Sequence, residues 1–196
     1  LYPYLLEFCK RHGYELEFRE TEEFPKVVDI NEYAIEDIDE FVKLLNLHAR
    51  GEPIPARDYQ IEAIHHALVS NRTVLLSPTA SGKSFIIYCL IRWHLFKNRK
   101  CMIVVPTTSL VEQMYSDFED YSSHNKWIVG KHCQKLYSGF SRQMTTEVLI
   151  TTWQSIYKQP KEWFQQFDVI IGDEAHQFKA TSLITIMERM QHVKYR

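Results

Sequence analysis

Two segments of this sequence carry residue types that suit phosphate and metal chemistry. Residues 77–84 read Ser-Pro-Thr-Ala-Ser-Gly-Lys-Ser, and Asp173-Glu174-Ala175-His176 follows an apolar run much later in the chain. Small residues let backbone N–H groups face a phosphate, and a helix N-terminus behind them favours negative charge. Two adjacent carboxylates at the end of a strand are costly to hold together unless a cation is near. Together the segments predict a site that binds a nucleoside triphosphate with a metal ion and hydrolyses the nucleotide.

The loop at residues 77–84 departs at one position from the strict phosphate-binding pattern, because Ser77 stands where that pattern has Gly. Lys83 is predicted to reach the β- and γ-phosphates, and the Ser84 hydroxyl is predicted to bind Mg²⁺. The other predicted nucleotide contacts of the loop are Thr79, Ala80, Ser81 and Gly82. The alternative, a Ser/Gly turn that only caps a helix, leaves the later carboxylates unexplained.

The two carboxylates are predicted to divide the remaining chemistry. Asp173 would hold Mg²⁺ through water, and Glu174 would orient and deprotonate the attacking water. His176 is a candidate for coupling the site to a neighbouring domain. Taken alone, a His at such a position is more often a structural residue at the start of a helix.

A third segment, Arg57-Asp58-Tyr59-Gln60, lies shortly before the loop. The Gln60 amide has both donors and an acceptor, so it can read an adenine edge, while Tyr59 or Arg57 can stack on the base. The alternative is the polar start of an ordinary helix. The nucleotide-binding interpretation of residues 57–60 is favoured only because the sequence also contains the other two segments.

Length and charge set the frame for these segments. With 196 residues, the chain has room for one sizeable domain and an appendage. Its net charge of −2 combines an acidic segment, residues 1–50 with 6 Lys/Arg against 12 Asp/Glu, and a basic remainder with 17 against 13. A mildly basic domain is compatible with a polyanion partner but does not require one.

Other compositional features point to a cytoplasmic protein. The sequence has no apolar run of about 18 residues and no signal segment. Its four cysteines are scattered, which argues against a metal site or a disulfide framework and fits a reducing cytoplasm. The chain begins at Leu1, so we expect it to be part of a longer protein.

Hydrophobic periodicity predicts strands alternating with helices after residue 55. Gly51-Glu-Pro-Ile-Pro55 holds two prolines and predicts a linker between a partial small α+β domain, residues 1–50, and a main domain, residues 51–196. Continuous apolar strands indicate an α/β fold whose parallel sheet is covered on both faces. The predicted helices are 3–12, 35–47, 57–70, 83–97, 108–121, 153–158 and 181–190. The predicted strands are 14–20, 73–77, 101–105, 127–130, 134–137, 147–151 and 168–172.

Five motifs in a fixed order carry a family resemblance. They read Arg-x-Tyr-Gln (57–60), Pro-Thr-Ala-Ser-Gly-Lys-Ser (78–84), Val-Pro-Thr-Thr-Ser-Leu-Val-Glu-Gln (105–113), Thr-Thr-Trp-Gln-Ser (151–155) and Asp-Glu-Ala-His (173–176). This series resembles the Q motif and motifs I, Ia, Ib and II of the first RecA-like lobe of superfamily 2 helicases. Residues 151–164 and 105–108 are similar to the UvsW-type recombination and repair helicases of phages. The resemblance implies a P-loop ATP hydrolase that moves on or unwinds DNA.

The resemblance also implies contacts with DNA. In such helicases, motifs Ia and Ib contact the sugar-phosphate backbone of one tracking strand, which requires no reading of sequence. The residues carried over are Pro106, Thr107, Thr108, Thr151, Thr152 and Gln154, with Gly139 and Arg142 as weaker candidates. Thr107 and Thr108 can cap a helix at the same time.

The resemblance further implies a motif III and a second RecA-like lobe, whose arginine finger is worth several orders of magnitude in rate. Neither follows residues 173–176 in this sequence. The chain alone is therefore expected to bind ATP–Mg²⁺ weakly and to hydrolyse it very slowly. Its expected partners are single-stranded or branched DNA and the second lobe of the same protein, in a bacterial or phage-infected cell.

Three other functions stay open at this point. The motor subunit of a restriction-type system has the same five motifs. A nucleotide-gated module that binds nucleic acid without mechanical work has no need of a water-activating Glu174. A P-loop small-molecule kinase leaves residues 57–60 and 173–176 without a role. Backbone contacts alone do not distinguish RNA from DNA.

Overall fold

A parallel sheet forms the centre of the molecule. The computed structural model describes residues 33–78, 80–137, 143–177 and 180–196, so the predicted helix 3–12 and strand 14–20 lie outside the described residues. In chain order the strands are β1 (His48–Ala49), β2 (Glu52–Pro53), β3 (Cys101–Val105), β4 (Cys133–Leu136), β5 (Val148–Thr152) and β6 (Val169–Gly172). The first two form an antiparallel hairpin, and the other four form a parallel sheet in the order β4-β5-β3-β6.

The helices match the predicted alternation closely. They are α1 (Ile35–Leu44), α2 (Asp58–Ser70), α3 (Lys83–Phe96), α4 (Thr108–Tyr121), α5 (Val129–His132), α6 (Trp153–Ile156), α7 (Lys161–Phe164) and α8 (Ala180–Arg189). A short 3₁₀ turn, Ala175–Gln177, follows β6. Within the described residues, none of the helices is long and apolar enough to cross a membrane.

The sheet is buried on both faces, as its continuous apolar strands predict. Along β3, Ile103 and Val105 belong to a core shared with α3 and α4, whereas Met102 and Val104 belong to a second core shared with α6, α7 and α8. Every residue of β3 is buried. The α/β class with helices on both sides of a parallel sheet is therefore confirmed.

The segment around the predicted linker is more ordered than its two prolines suggest. Arg50 and Gly51 both have positive φ, 55° and 83°, which closes a tight turn between β1 and β2. Pro53 lies in β2, a strand of only two residues, where the missing proline N–H does not interrupt a longer ladder of hydrogen bonds. Helix α1 packs its buried Ile38 and Val42 into the same core as α3. The division of the chain at residues 50 and 51 remains a prediction.

Two predicted strands are wrong. Residues 73–77 form no strand. Within the described residues, Thr73 alone of this segment makes a backbone–backbone hydrogen bond, from its N–H to the Arg196 carbonyl at 3.1 Å. Val74 and Leu76 are 84% and 86% exposed, so the alternation of this segment buries neither. Residues 127–130 do not form a strand either. Trp127 stacks on His132 at 5.4 Å, and a helical turn, α5, brings the two rings together before β4 begins.

Candidate active site

The carboxyl ends of the parallel strands bring the predicted chemistry to one edge of the sheet. Residues 106–108 follow β3, Gln154 lies just beyond β5, and Asp173 and Glu174 follow β6. In open α/β sheets, ligands bind at this edge. The loop at residues 77–84 reaches the same edge, because Lys83 pairs with Glu174.

The loop passes directly into α3. Ala80 and Gly82 both have positive φ, 65° and 81°, and Gly82 is the N-cap of the helix. The first N–H groups of a helix have no partner within it, so they are free to bind an anion at this end. Thr79, predicted to contact the nucleotide, lies outside the described residues. The small residues therefore serve the backbone geometry from which the phosphate site was predicted.

Gly82 has no room for a side chain. A Cβ at this position would lie 2.4 Å from Gln60 Nε2 and would sit on a backbone with φ of +81°. We expect Gly82→Ala to displace either Gln60 or the loop, lowering the free energy of unfolding by about 1–3 kcal/mol and weakening nucleotide binding by at least about tenfold, or about 1.4 kcal/mol. Denaturant titration and binding of a fluorescent ATP analogue measure the two effects.

Gly51→Ala is a matched control for that change. Gly51 has a similar φ of +83°, but a Cβ there would meet nothing within 4 Å. The control shares the backbone strain and lacks the contact with Gln60, so it should leave nucleotide binding unchanged. Equal nucleotide affinities for Gly82→Ala and the unmodified protein would contradict the assigned close approach.

Gln60 fastens the start of α2 to the loop. Its Nε2 donates to the Ser81 carbonyl at 3.1 Å, and its Oε1 accepts from the Arg57 backbone N–H at 3.0 Å. Tyr59 Oη donates to the same Ser81 carbonyl at 2.8 Å, and Arg57 donates to Tyr59 Oη at 3.1 Å. The side chain of Gln60 is buried. Its amide retains one N–H and one lone pair for a base.

A cavity of about 390 Å³ lies beside this network. Its wall combines the hairpin and linker at Ala49 and residues 54–57 with Gln60, the loop at residues 80–82, Phe85 and Tyr121. A volume of this size, with apolar walls and few polar groups, suits a small planar ligand. The linker is therefore part of the cavity wall beside the phosphate loop.

Lys83 and Glu174 form an ion pair, with Asp173 beside them. The hydrogen bond from Lys83 lowers the pKa of Glu174, and the same bond raises the pKa of Lys83. Burial raises the pKa of Asp173, while the charge of Lys83 opposes that rise. Glu174 lies at a φ of 50°, a conformation that non-glycine residues seldom adopt. The strand end is thus shaped so that both carboxylates face one cation.

The donor set fits a magnesium ion. A hydroxyl from Ser84 and carboxylate oxygens from Asp173 are the hard oxygen ligands that this ion takes, together with phosphate oxygens. His176 is exposed and lies 3.4 Å from Glu174, measured from Nδ1 to Oε2. It faces away from the interior, as expected of a residue that meets a neighbouring domain or solvent.

The predicted nucleic-acid contacts separate into exposed and buried side chains. Thr107 and Thr108 are exposed at the start of α4, and Thr107 Oγ1 accepts from Leu110 N at 3.3 Å as a helix cap. Gln154 is exposed and donates to the Pro106 carbonyl at 3.1 Å, which joins the two loops. Pro106 itself is buried.

The two threonines at the end of β5 are turned into the molecule. Thr151 is buried and its hydroxyl donates to the Leu136 carbonyl at 2.7 Å. Thr152 is buried as well, and its hydroxyl is 2.8 Å from that of Ser155. In this conformation neither hydroxyl faces the solvent where a strand of nucleic acid would lie. Gly139 and Arg142 lie outside the described residues.

Comparison with known families identifies the lobe. Residues 53–195 match the family described as "Type III restriction enzyme, res subunit", or ResIII. The chain belongs to the ResIII family. The predicted likeness to the first RecA-like lobe of superfamily 2 helicases is thereby confirmed, together with the α/β fold.

Individual relatives of this ResIII chain are DNA motors by name. The ATP-dependent DNA helicase UvsW of Enterobacteria phage T4 is 31% identical over 195 residues, which are 97% of this chain and 37% of that protein. The DNA 3′-5′ translocase XPB2 of Sulfurisphaera tokodaii is 26% identical over 125 residues, 64% of this chain and 26% of that protein. A crystal structure of T4 UvsW superposes with a TM-score of 0.82 and 30% identity, covering 100% of this chain and 39% of that one. The chain thus spans between a third and two fifths of UvsW.

One neighbour of this ResIII site has no signal in the sequence. The Tyr121 hydroxyl lies 2.9 Å from that of Ser84. Tyr121 is the last residue of α4 and belongs to none of the five motifs. Only the packing of α4 against α3 brings the two hydroxyls together.

Proposed function

We propose that this chain is the first motor lobe of an ATP-dependent DNA helicase or translocase that acts in recombination, repair or remodelling of branched DNA. The observation that carries the proposal is that Lys83 lies beside Asp173 and Glu174 at one edge of the sheet. Thr107 and Thr108 are exposed at the same edge. An ATP-hydrolysing constellation beside a surface for a nucleic-acid backbone is what a translocase needs. The likeness to T4 UvsW supports DNA as the track.

The roles of the residues follow from their chemistry. Mg²⁺, when bound, would offset the negative charge that develops on the phosphates during transfer. Ser84 and Asp173 would hold it, the latter through water. Lys83 would turn from Glu174 to the β- and γ-phosphates, since a phosphate carries more negative charge than one carboxylate. Glu174, released from its ion pair, would then orient the attacking water and accept its proton.

The remaining nucleotide contacts divide between backbone and side chains. Residues 79–82 would cradle the phosphates with their N–H groups. Gln60 would present its unused amide hydrogen to the base in the neighbouring cavity, with Arg57 and Tyr59 at its rim. Because Gln60 also binds Ser81, base binding would act directly on the phosphate loop. His176, exposed beside Glu174, would face the second lobe.

The nucleic-acid surface is proposed at the ends of β3 and β5. Thr107, Thr108 and Gln154 are exposed there and can contact phosphate oxygens without reading bases. Pro106, Thr151 and Thr152 would contribute through backbone groups and by shaping the loops, since their side chains are buried. Arrangement along one sheet edge fits tracking of a single strand.

The proposal extends to the whole protein. Residues 51–196 would form the lobe, and residues 1–50 would be part of a small preceding domain. A second RecA-like lobe would complete the active site with an arginine finger. The relationship to a phage helicase supports action in the cytoplasm of a bacterial cell.

A restriction-type motor is the second candidate, favoured by the description of the family itself. Such a motor would act with a nuclease or a methylase partner. T4 UvsW is 31% identical over 97% of this chain, and this similarity favours the helicase that acts in recombination and repair. A binding module without hydrolysis is the weaker option, because Glu174 stands beside Lys83 where a water-activating carboxylate belongs.

The rate of ATP hydrolysis with different nucleic acids tests the proposal. The full-length protein would be assayed with single-stranded, duplex and forked DNA and with matched RNA, at equal nucleotide concentrations. We expect DNA to raise the rate at least about tenfold above the rate without nucleic acid, equivalent to about 1.4 kcal/mol of barrier. An unchanged rate with every polymer, or equal stimulation by RNA, would contradict a DNA motor.

A further inference from the structure

The hydroxyl of Ser84 is engaged from the far end of α4. Tyr121 Oη lies 2.9 Å from Ser84 Oγ. Asp117, one turn earlier on the same face of α4, is half-buried. Burial raises the pKa of Asp117, and a hydrogen bond from Ser84 partly offsets that rise. The proposed metal ligand therefore has a polar partner from α4.

The ring of Tyr121 is held by packing rather than by chance. It meets Phe85 edge-on at 5.9 Å and Tyr88 edge-on at 5.5 Å. A phenol hydroxyl held in this way lies at a fixed distance from Ser84 and can accept its proton in a hydrogen bond.

The direction of that hydrogen bond matters for metal binding. A serine hydroxyl has one proton and two lone pairs. When the proton is donated to Tyr121 or Asp117, both lone pairs are left for a metal ion. Groups that orient a metal ligand in this way typically change metal affinity or activity by about 10- to 100-fold when they are removed.

We propose that Tyr121 is a positioning residue that accepts the Ser84 proton, with Asp117 beside it, and so presents the Ser84 oxygen to Mg²⁺. This inference rests on the proposed function, since it needs a metal-bound nucleotide at the loop. It adds a residue outside the five motifs to the site. It also makes the geometry of the metal ligand depend on α4, the helix that begins at Thr108 with Thr107 as its N-cap.

The Mg²⁺ dependence of nucleotide binding tests the inference. A fluorescent ADP analogue would be bound to the unmodified protein and to Tyr121→Phe, first in EDTA and then with increasing Mg²⁺. Tyr121→Phe keeps the ring and its packing but lacks the hydroxyl. We expect the Mg²⁺ midpoint to rise about tenfold, well beyond any change of affinity in EDTA, where Tyr121 can act only as part of the cavity wall. Tyr115→Phe, on the same helix and away from Ser84, should have the midpoint of the unmodified protein.

A double variant shows whether Tyr121 acts through Ser84 or independently of it. In Ser84→Ala the ligand is absent, so adding Tyr121→Phe should move the midpoint no further, as expected of two residues that act through one contact. An unchanged midpoint in Tyr121→Phe would overturn the inference. An affinity in EDTA that falls as much as the midpoint rises would overturn it in favour of a direct contact between Tyr121 and the nucleotide.

Two remaining outcomes are also decisive. If Tyr121→Phe does not fold, as judged by near-UV circular dichroism, Asp117→Asn is tested by the same titration and must raise the midpoint. If the unmodified protein binds nucleotide with no dependence on Mg²⁺, the proposed function fails and takes this inference with it. Mg²⁺-dependent binding that is insensitive to both variants refutes the inference and leaves the proposed function standing.

Discussion

Replacing Glu174 with Gln in the full-length protein is expected to reduce ATP hydrolysis by about 10²- to 10⁴-fold, the usual contribution of a general base. Gln keeps the size of the side chain and its ability to orient water, but it cannot accept a proton. It also ends the ion pair with Lys83, so Lys83 is released toward the phosphates. Binding of Mg²⁺ and ATP should therefore be retained or strengthened while turnover is lost.

Steady-state hydrolysis with saturating DNA, and binding of a fluorescent ATP analogue, together measure this prediction. Glu40→Gln is a suitable control, because Glu40 is an exposed residue of α1 and makes the same change of charge. Turnover above about a tenth of the unmodified rate, where the loss is worth less than 1.4 kcal/mol, would rule out Glu174 as the base.

Lys83→Ala should weaken nucleotide binding and abolish turnover. Lys83 is the cation next to both carboxylates, and its removal leaves Asp173 and Glu174 to repel each other and the incoming phosphates. We expect nucleotide affinity to fall by at least about tenfold, or about 1.4 kcal/mol, and hydrolysis to fall below detection. The ion pair is partly exposed, with side-chain exposures of 30% and 24%, so the free energy of unfolding should change by less than about 1 kcal/mol.

The contrast between binding and stability makes the Lys83 test specific. Isothermal titration with ATP and Mg²⁺ measures affinity, and denaturant unfolding measures stability. Lys43→Ala serves as the control, since Lys43 is 74% exposed and pairs with Asp39 on the surface of α1. If Lys83→Ala were to bind the nucleotide normally, the loop at residues 77–84 would not be a phosphate site.

The elements at the centre of the fold could be predicted because their sequence signals are local. Strand β3 has the predicted bounds, since five consecutive apolar residues buried on both faces leave no competing periodicity. Helix α4 also has its predicted bounds, with Thr107 as its cap. The order of the strands follows no local signal, because β3 lies between β5 and β6 through contacts with distant parts of the chain.

The failures of prediction have physical causes of the same kind. Residues 73–77 have strand-like composition, yet a strand needs a neighbour, and in the described residues only Thr73 has one. Trp127 and Ile128 favour a strand by composition, but stacking of Trp127 on His132 decides otherwise. The motif residues could be predicted from the sequence. Tyr121 could not, because only the packing of α4 against α3 places its hydroxyl beside that of Ser84. The Thr151 hydroxyl is turned inward by a tertiary contact with Leu136, whereas the Thr152 hydroxyl is turned toward Ser155, three residues further along the chain.

The strand order β4-β5-β3-β6 has a consequence for the time at which the site can form. Cys101 pairs with Val148 on one side and with Val169 on the other, so the middle strand acquires its neighbours only from much later sequence. Contacts between residues so far apart in sequence slow folding, because the entropy of closing long loops is lost before the stabilising contacts form. During synthesis the phosphate loop leaves the ribosome well before β6 and its carboxylates. Lys83 therefore lacks its two carboxylate neighbours in the nascent chain, and the ion pair with Glu174 forms only when β6 docks.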